Sequence, residues 1–284
     1  MTSQIGWPGV LGEWTLTPVS DALVLLAAVA YLNAARRRRR WHGTQWPPWR
    51  TVCSLSGLAV IVLARDSAIG VYSRELHSVH MVQHLALITV APVLLALGHP
   101  LTLALESSTH GREIVELVRH NRVVAIVTHP LVAFASYAAV IVGTHLTGFM
   151  ALTFAHPWLH ELELALYLLS GYLFAAPLVA REPLRRRPPY PARFGLVLLS
   201  MTVHTFVGIV LMTTGDSADL RLAGGLMWFV GDGLMMAVAL VIAGHWVTGP
   251  NRSRGEAART LHHRVLTALT RPRPPRPPKG ESDP

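Results

Sequence analysis

Seven apolar stretches, each near the length of a membrane crossing, recur along this chain with arginine blocks between them, and this alternation constrains the fold more than any other feature. They cover residues 18–35, 50–69, 76–98, 123–147, 158–180, 193–213 and 225–247. A helix needs about 20 apolar residues to cross the hydrocarbon core. In lipid each backbone polar group must be satisfied within its own segment, so each stretch is expected to be helical. Composition agrees: 51% of the 284 residues are hydrophobic and only 14% are charged, against roughly a quarter charged in a soluble domain. The expected fold is therefore an all-α integral membrane bundle of seven transmembrane helices, multi-pass in the plasma membrane with the lipid bilayer as its surroundings.

The net charge of +9 is carried almost wholly by arginine. "RRRRR" follows the first stretch, "GREIVELVRHNR" the third, "REPLRRRPPYPAR" the fifth and "NRSRGEAARTLHHR" the seventh. These four segments alternate so as to share one side, which is how membrane orientation is encoded. The arginines thus predict a cytoplasmic C-terminus and an N-terminus outside, and they argue against nucleic acid as a partner. The start lacks the basic run and small-residue cleavage site of a secretory signal, so the first apolar stretch is expected to remain as an anchor. The expected organisation is an extracytoplasmic segment 1–17, a membrane domain 18–247 and a basic, Pro-rich cytoplasmic tail 248–284 without a core of its own. Residues 103–120 are expected to form a short surface helix on the cytoplasmic face.

Two of the apolar stretches carry histidine stripes. In "ELHSVHMVQH", at about 100° per residue, His77, His80, Met81 and His84 fall on one helical face. His80 and His84 are spaced so that two imidazoles can share one ion. In "AHPWLHELELALY", His156, His160, Glu163 and Tyr167 share a face in the same way, with Pro157 poised to start the helix. The arginine pattern puts both stripes at the outer end, where His145 also closes the fourth stretch. His204 and Asp232 fall deeper, level with His84 at about 10–16 Å by the helical rise. Ionisable groups at such depth usually face the bundle interior with a partner.

Cys53 is the sole cysteine, so a soft-metal site here has to use histidine and methionine. Imidazole suits copper, zinc, iron and nickel, and thioether selects Cu(I). Histidine and methionine together on the oxidising side of a membrane point to copper. The candidate metal residues are His77, His80, Met81, His84, His145, His156, His160, His204 and Asp232, with Glu163 and Tyr167 supporting them. Asp232 or Glu163 could ligate directly or orient a histidine through its second nitrogen. The zinc-peptidase pattern fails, because "HELEL" has Leu164 where the second histidine belongs. Di-iron histidine boxes lie on the cytoplasmic side in the enzymes that use them, against the orientation above. A bis-His haem, for example between His84 and His204, stays open. So does a copper or proton-coupled transporter, since intramembrane His and Asp often mark an ion path.

The run "HSVHMVQHLALITVAPVLLALGHP" resembles the signature of the CtaG-type cytochrome c oxidase assembly factors, the polytopic membrane type. "HPWLHELELALYLLSGYLFAAPL" and "LAGGLMWFVGDGLMM" resemble its later motifs, so the likeness covers about 70–247. The resemblance implies about seven membrane helices and a non-enzymatic role in maturing haem–copper oxidases, with copper supply to an oxidase subunit as the expected task. It carries over to His77, His80, Met81 and His84 from the first motif, and to His156 and His160 from the second.

Overall fold

A computed structural model describes residues 13–180, 182 and 188–270, and among these every regular element is helical. In chain order they are α1 (Pro18–His42), α2 (Pro48–Asp66), α3 (Ala68–Tyr72), α4 (His77–Leu85), a wide π turn (Ala86–Val90), α5 (Ala91–Leu97), α6 (Pro100–Ser107), α7 (Thr109–His120), α8 (Arg122–Val127), α9 (Pro130–His145), α10 (Phe149–Ala155), α11 (Pro157–Val179), α12 (Tyr190–Thr214) and α13 (Ala218–Thr270). Contacts divide the chain at Ile242: the first unit holds the elements used below, and the second, Ala243–Pro284, holds the last part of α13.

Among the described residues, five helical stretches are long and apolar enough to cross a membrane: Pro18–His42, His77–Ser107, Pro157–Val179, Tyr190–Thr214 and Ala218–Thr248. The expected crossing at 50–69 is the 19-residue α2, which carries Arg50, Arg65 and Asp66. The stretch expected at 123–147 is divided. It forms α8 and the 16-residue α9, with a break at Thr128–His129. Pro130 supplies the reason: the residue before a proline is pushed out of the helical region, and His129 is extended there and caps α9 through Leu131 N–H. The surface helix expected over 103–120 is divided: residues 103–107 belong to α6, inside the apolar stretch His77–Ser107, and Thr109–His120 forms α7 after a break at the extended Ser108. The last helix runs on to Thr270, past the expected boundary at 247, and residues 271–284 of the expected tail lie outside the described residues.

The two stretches with histidine stripes are the most deeply packed. In each, 61% of the apolar window is buried, against 6% for α1, so they form the centre of the bundle and α1 its edge. Both α11 and α2 pack along α5 and the π turn. The π turn has a local cause. Pro92 has no N–H to offer the carbonyl of Ile88 and its ring crowds that carbonyl. The chain widens just before it, with Ala91 N–H reaching back to the carbonyl of Ala86. Gly171 on α11 faces the displaced Ile88 carbonyl, and a methyl group at this position would collide with it.

Near the far end of this stretch His99 adopts a left-handed conformation, φ 53°, which separates α5 from α6 and allows Pro100 to open a new helix. Glu182 caps α6 from the α11–α12 connection, accepting from Leu101 N–H at 3.2 Å, Thr102 N–H at 2.8 Å and Thr102 Oγ1 at 2.9 Å. Burial pushes the Glu182 carboxyl above the usual carboxylate range, and these hydrogen bonds act against that rise. An Arg38–Glu106 ion pair and a Trp46–Tyr31–Gly98 hydrogen-bonded chain join α1 to the same end.

Overpacking a tight helix crossing costs about 1–3 kcal/mol. Gly171→Ala is therefore expected to lower thermal stability in detergent by at least that amount, whereas Gly143→Ala on α9, where a methyl meets open space, is expected to leave it unchanged. Thermal unfolding of the two purified variants checks this.

Candidate metal centre

α4 begins at a helix end that belongs to the bundle rather than to itself. Its first N–H groups have no partner within the helix, and Leu76 ahead of it offers no side-chain cap. Asp219, at the start of α13, takes that place. It accepts from His77 N–H at 2.6 Å, Ser78 N–H at 3.3 Å and Ser78 Oγ at 2.5 Å, and lies 3.4 Å from His77 Nδ1. Gln83 Nε2 donates to the Ala64 carbonyl at 2.8 Å, tying the same helix to the end of α2. On α11, Glu161 pairs with Arg65 of α2 at 2.5 Å, beside His160. These bonds fix the rotation of the two striped helices relative to their neighbours.

With that rotation, the stripes face each other around Glu163. Its Oε2 lies 3.4 Å from His160 Nδ1, 3.5 Å from His84 Nε2 and 3.7 Å from His80 Nε2. Donor atoms of His80, His160 and Glu163 all lie within 4.8 Å of one another. Glu163 has no solvent exposure, and His80 and His84 have 1% each. Both oxygens of Glu163 and Nε2 of His84 are buried without a hydrogen-bond partner among the described residues. Acceptor atoms facing one another in an apolar interior repel unless a cation or proton lies between them. The donor set therefore fits a metal ion: two imidazoles and a carboxylate, with a third imidazole alongside.

Behind His84 the hydrogen bonding is directional. His145 Nδ1 lies 2.9 Å from the Ile141 carbonyl, which can only accept, so Nδ1 carries the proton and Nε2 is left with its lone pair. That Nε2 faces His84 Nδ1 at 3.5 Å. His84 then donates from Nδ1 and presents the lone pair of Nε2 to the site. Tyr167 stacks on the His84 ring with centroids 4.0 Å apart, and its hydroxyl meets Thr144 Oγ1 at 2.5 Å. A partner on the second ring nitrogen is what fixes tautomer and aim in metal-ligating histidines.

The expected residues thus separate into groups. His80, His84 and His160 come together, and Glu163 lies among them rather than behind them. His145 and Tyr167 back His84. Met81 is fully buried in the apolar core. His77 is half-buried against Asp219, and His156 is exposed at the start of α11, its ring toward Trp158. His204 belongs to a different polar group: its Nε2 lies 2.9 Å from the Tyr137 hydroxyl and its Nδ1 3.9 Å from Asp232 Oδ1, while Thr205 Oγ1 donates to Asp232 Oδ2 at 2.8 Å. Sequence reasoning placed Asp219 on the outer side without a role, and passed over Thr144 and Tyr137. For the last two a signal existed, since Tyr137, Ile141, Thr144 and His145 lie at helical spacing on one face. Asp219 leaves no such signal, because it acts on a helix far away in sequence.

A lost helix cap costs about 0.5–2 kcal/mol. Asp219→Ala is expected to destabilise the protein by an amount in that range. It is also expected to speed amide exchange at His77 and Ser78 more than at the middle of α11. Hydrogen-exchange mass spectrometry with a thermal melt reads both effects.

Comparison with known proteins places this geometry in context. Residues 29–249 match the family described as cytochrome c oxidase caa3 assembly factor. The chain is 31% identical over 271 residues to an uncharacterized protein of Mycobacterium bovis, Mb0105, and to one of Mycobacterium tuberculosis, MT0111, and 29% identical over 265 residues to one of Mycobacterium leprae, ML1998. These alignments take in 84–86% of this chain, which spans 40% of the length of each relative. No solved structure matches the chain. The matched segment contains α2 through α12 entire, with His80, His84, His160 and Glu163 inside it, and the chain belongs to the cytochrome c oxidase caa3 assembly factor family.

Proposed function

We propose that this protein is a non-enzymatic membrane accessory factor that holds copper near the outer face of the plasma membrane and hands it to a subunit of a haem–copper oxidase. The observation that carries the proposal is the convergence of His80, His84 and His160 on the buried Glu163 carboxylate. Copper enters here as cargo. Imidazole is a good copper ligand, and an ion held between two helices can leave without unfolding a dedicated cage.

The proposed topology has seven crossings, with the N-terminus outside and the C-terminus in the cytoplasm. The five long stretches supply most of it. α2, at about 28 Å by the helical rise, is close to the hydrocarbon thickness of about 30 Å, and α9 is the shortest crossing. The arginine blocks in the last turns of α1, around α7, before α12 and after Thr248 support one common cytoplasmic side. His80 and His160 then lie toward the opposite side.

A haem between His84 and His204 fits poorly with the geometry. Both ring nitrogens of His84 face other side chains, and His204 Nε2 meets the Tyr137 hydroxyl. Transport keeps one supporting observation, the polar group of buried Tyr137 and His204 with partly exposed Asp232, which is the kind of intramembrane cluster found on ion paths.

Copper analysis of the purified protein and of a His80→Ala/His84→Ala variant tests the proposal. Wild type is expected to retain copper and the variant to lose at least about 90% of it, consistent with tenfold or greater weakening on loss of site residues. In cells the variant is expected to lose oxidase activity. Full rescue by added copper indicates transport instead, and retention of copper by the variant contradicts the site.

A further inference from the structure

Resting on the copper reading above, we infer that the His80–His84–His160–Glu163 site takes its ion in the divalent state, as Cu(II), and discriminates against Cu(I). The inference follows from which atoms the fold brings together. Glu163 lies at the centre, within 3.4–3.7 Å of three imidazole nitrogens, and is wholly buried. A carboxylate oxygen is a hard donor and suits divalent ions, whereas selection for Cu(I) comes from thiolate and thioether sulfur. His80, His160 and Glu163, whose donor atoms all lie within 4.8 Å of one another, supply two nitrogens and one oxygen.

The sole cysteine lies outside that donor cluster, and the methionine of α4 packs in the apolar core. Cys53, the sole cysteine, lies near the start of α2, while the end of α2 that meets Gln83 is at Ala64. Eleven residues of helix separate the two, or about 16 Å at the helical rise. Met81 shares the helical face of His80 and His84, about 60° around the helix from His84, but it is fully buried and packed in the apolar core. The orientation of His84 brings in a further donor. Its Nε2 lone pair is turned toward Glu163 by the His145 contact, giving a further nitrogen beside the carboxylate. Among divalent first-row ions the intrinsic order of affinity puts Cu(II) first. The order thus favours the cupric ion over zinc, nickel or iron at this donor set.

The test uses the full chain in detergent. Cu(II) is titrated against a competing chelator with electron paramagnetic resonance as the readout. Cu(I) is titrated anaerobically against a cuprous-specific chelator. The same titrations are made on Glu163→Gln and Met81→Leu, after thermal unfolding has shown that both variants are folded. Wild type is expected to give a cupric signal with nitrogen hyperfine structure and to yield its Cu(I) to the chelator. Glu163→Gln is expected to weaken Cu(II) binding by about tenfold or more, and Met81→Leu to change it by less than about twofold. The wild-type spectrum alone decides the matter if a variant does not fold. Cu(I) held against the chelator, with Cu(II) bound weakly and Met81→Leu releasing the ion, overturns the divalent assignment and leaves the copper reading intact. Failure to bind either form overturns both. Zinc binding tighter than Cu(II) in the same competition overturns the assignment of copper as the preferred ion.

Discussion

A carboxylate with no exposure, set among apolar helices, is the group on which the rest of this structure depends. Moving an ion such as Glu163 out of water costs several kcal/mol even after relaxation, and in a membrane the surrounding lipid offers nothing to offset it. The fold meets that cost with imidazoles: His80, His84 and His160 surround Oε2 at 3.4–3.7 Å. A proton shared with them or a bound cation satisfies the same demand. Either positive charge can therefore occupy the same place, as the proposed copper role requires.

Bringing those side chains together requires close and correctly rotated helices. Gly171 lets α11 approach the π turn, and Pro92 accounts for the turn being there. A π turn beside a functional residue is a recurrent feature of helices, and this one follows His84 by a single residue, Leu85. Asp219, Gln83 and the Arg65–Glu161 pair then fix α4 and α11 at their ends. Stability and site geometry therefore share the same contacts, with Asp219 linking the start of α13 to the helix that carries two of the histidines.

Much of this was legible in the sequence, because both stripes follow the helical period and apolar length announces a crossing. His80, His84, His160 and Glu163 were recognisable as one-face residues on two helices. Their meeting point was not, since periodicity sets a face and says nothing of the neighbour it turns to. Counting depth put His204 level with His84, yet His204 turns to Tyr137 and Asp232, so equal depth does not bring residues together. His156 shares a wheel sector with His160 but precedes Pro157, where the chain is extended, and it ends exposed. The division of 123–147 was foreshadowed by Pro130, whose effect the apolar length concealed. The capping role of Asp219 was invisible for a different reason: a cap supplied by a distant helix leaves no pattern in the helix it caps.

The central claim is that one buried carboxylate and the imidazoles of two facing helices form a single ion site. X-ray absorption at the metal edge of copper-loaded protein tests it most directly. Nitrogen and oxygen ligands near about 2.0 Å are distinguishable from sulfur near about 2.3 Å, as in other first-row divalent sites. The account predicts a shell of nitrogen and oxygen alone, with imidazole outer-shell scattering that diminishes when His80 or His160 is replaced by alanine. A sulfur shell, or imidazole scattering unchanged by either replacement, would contradict it.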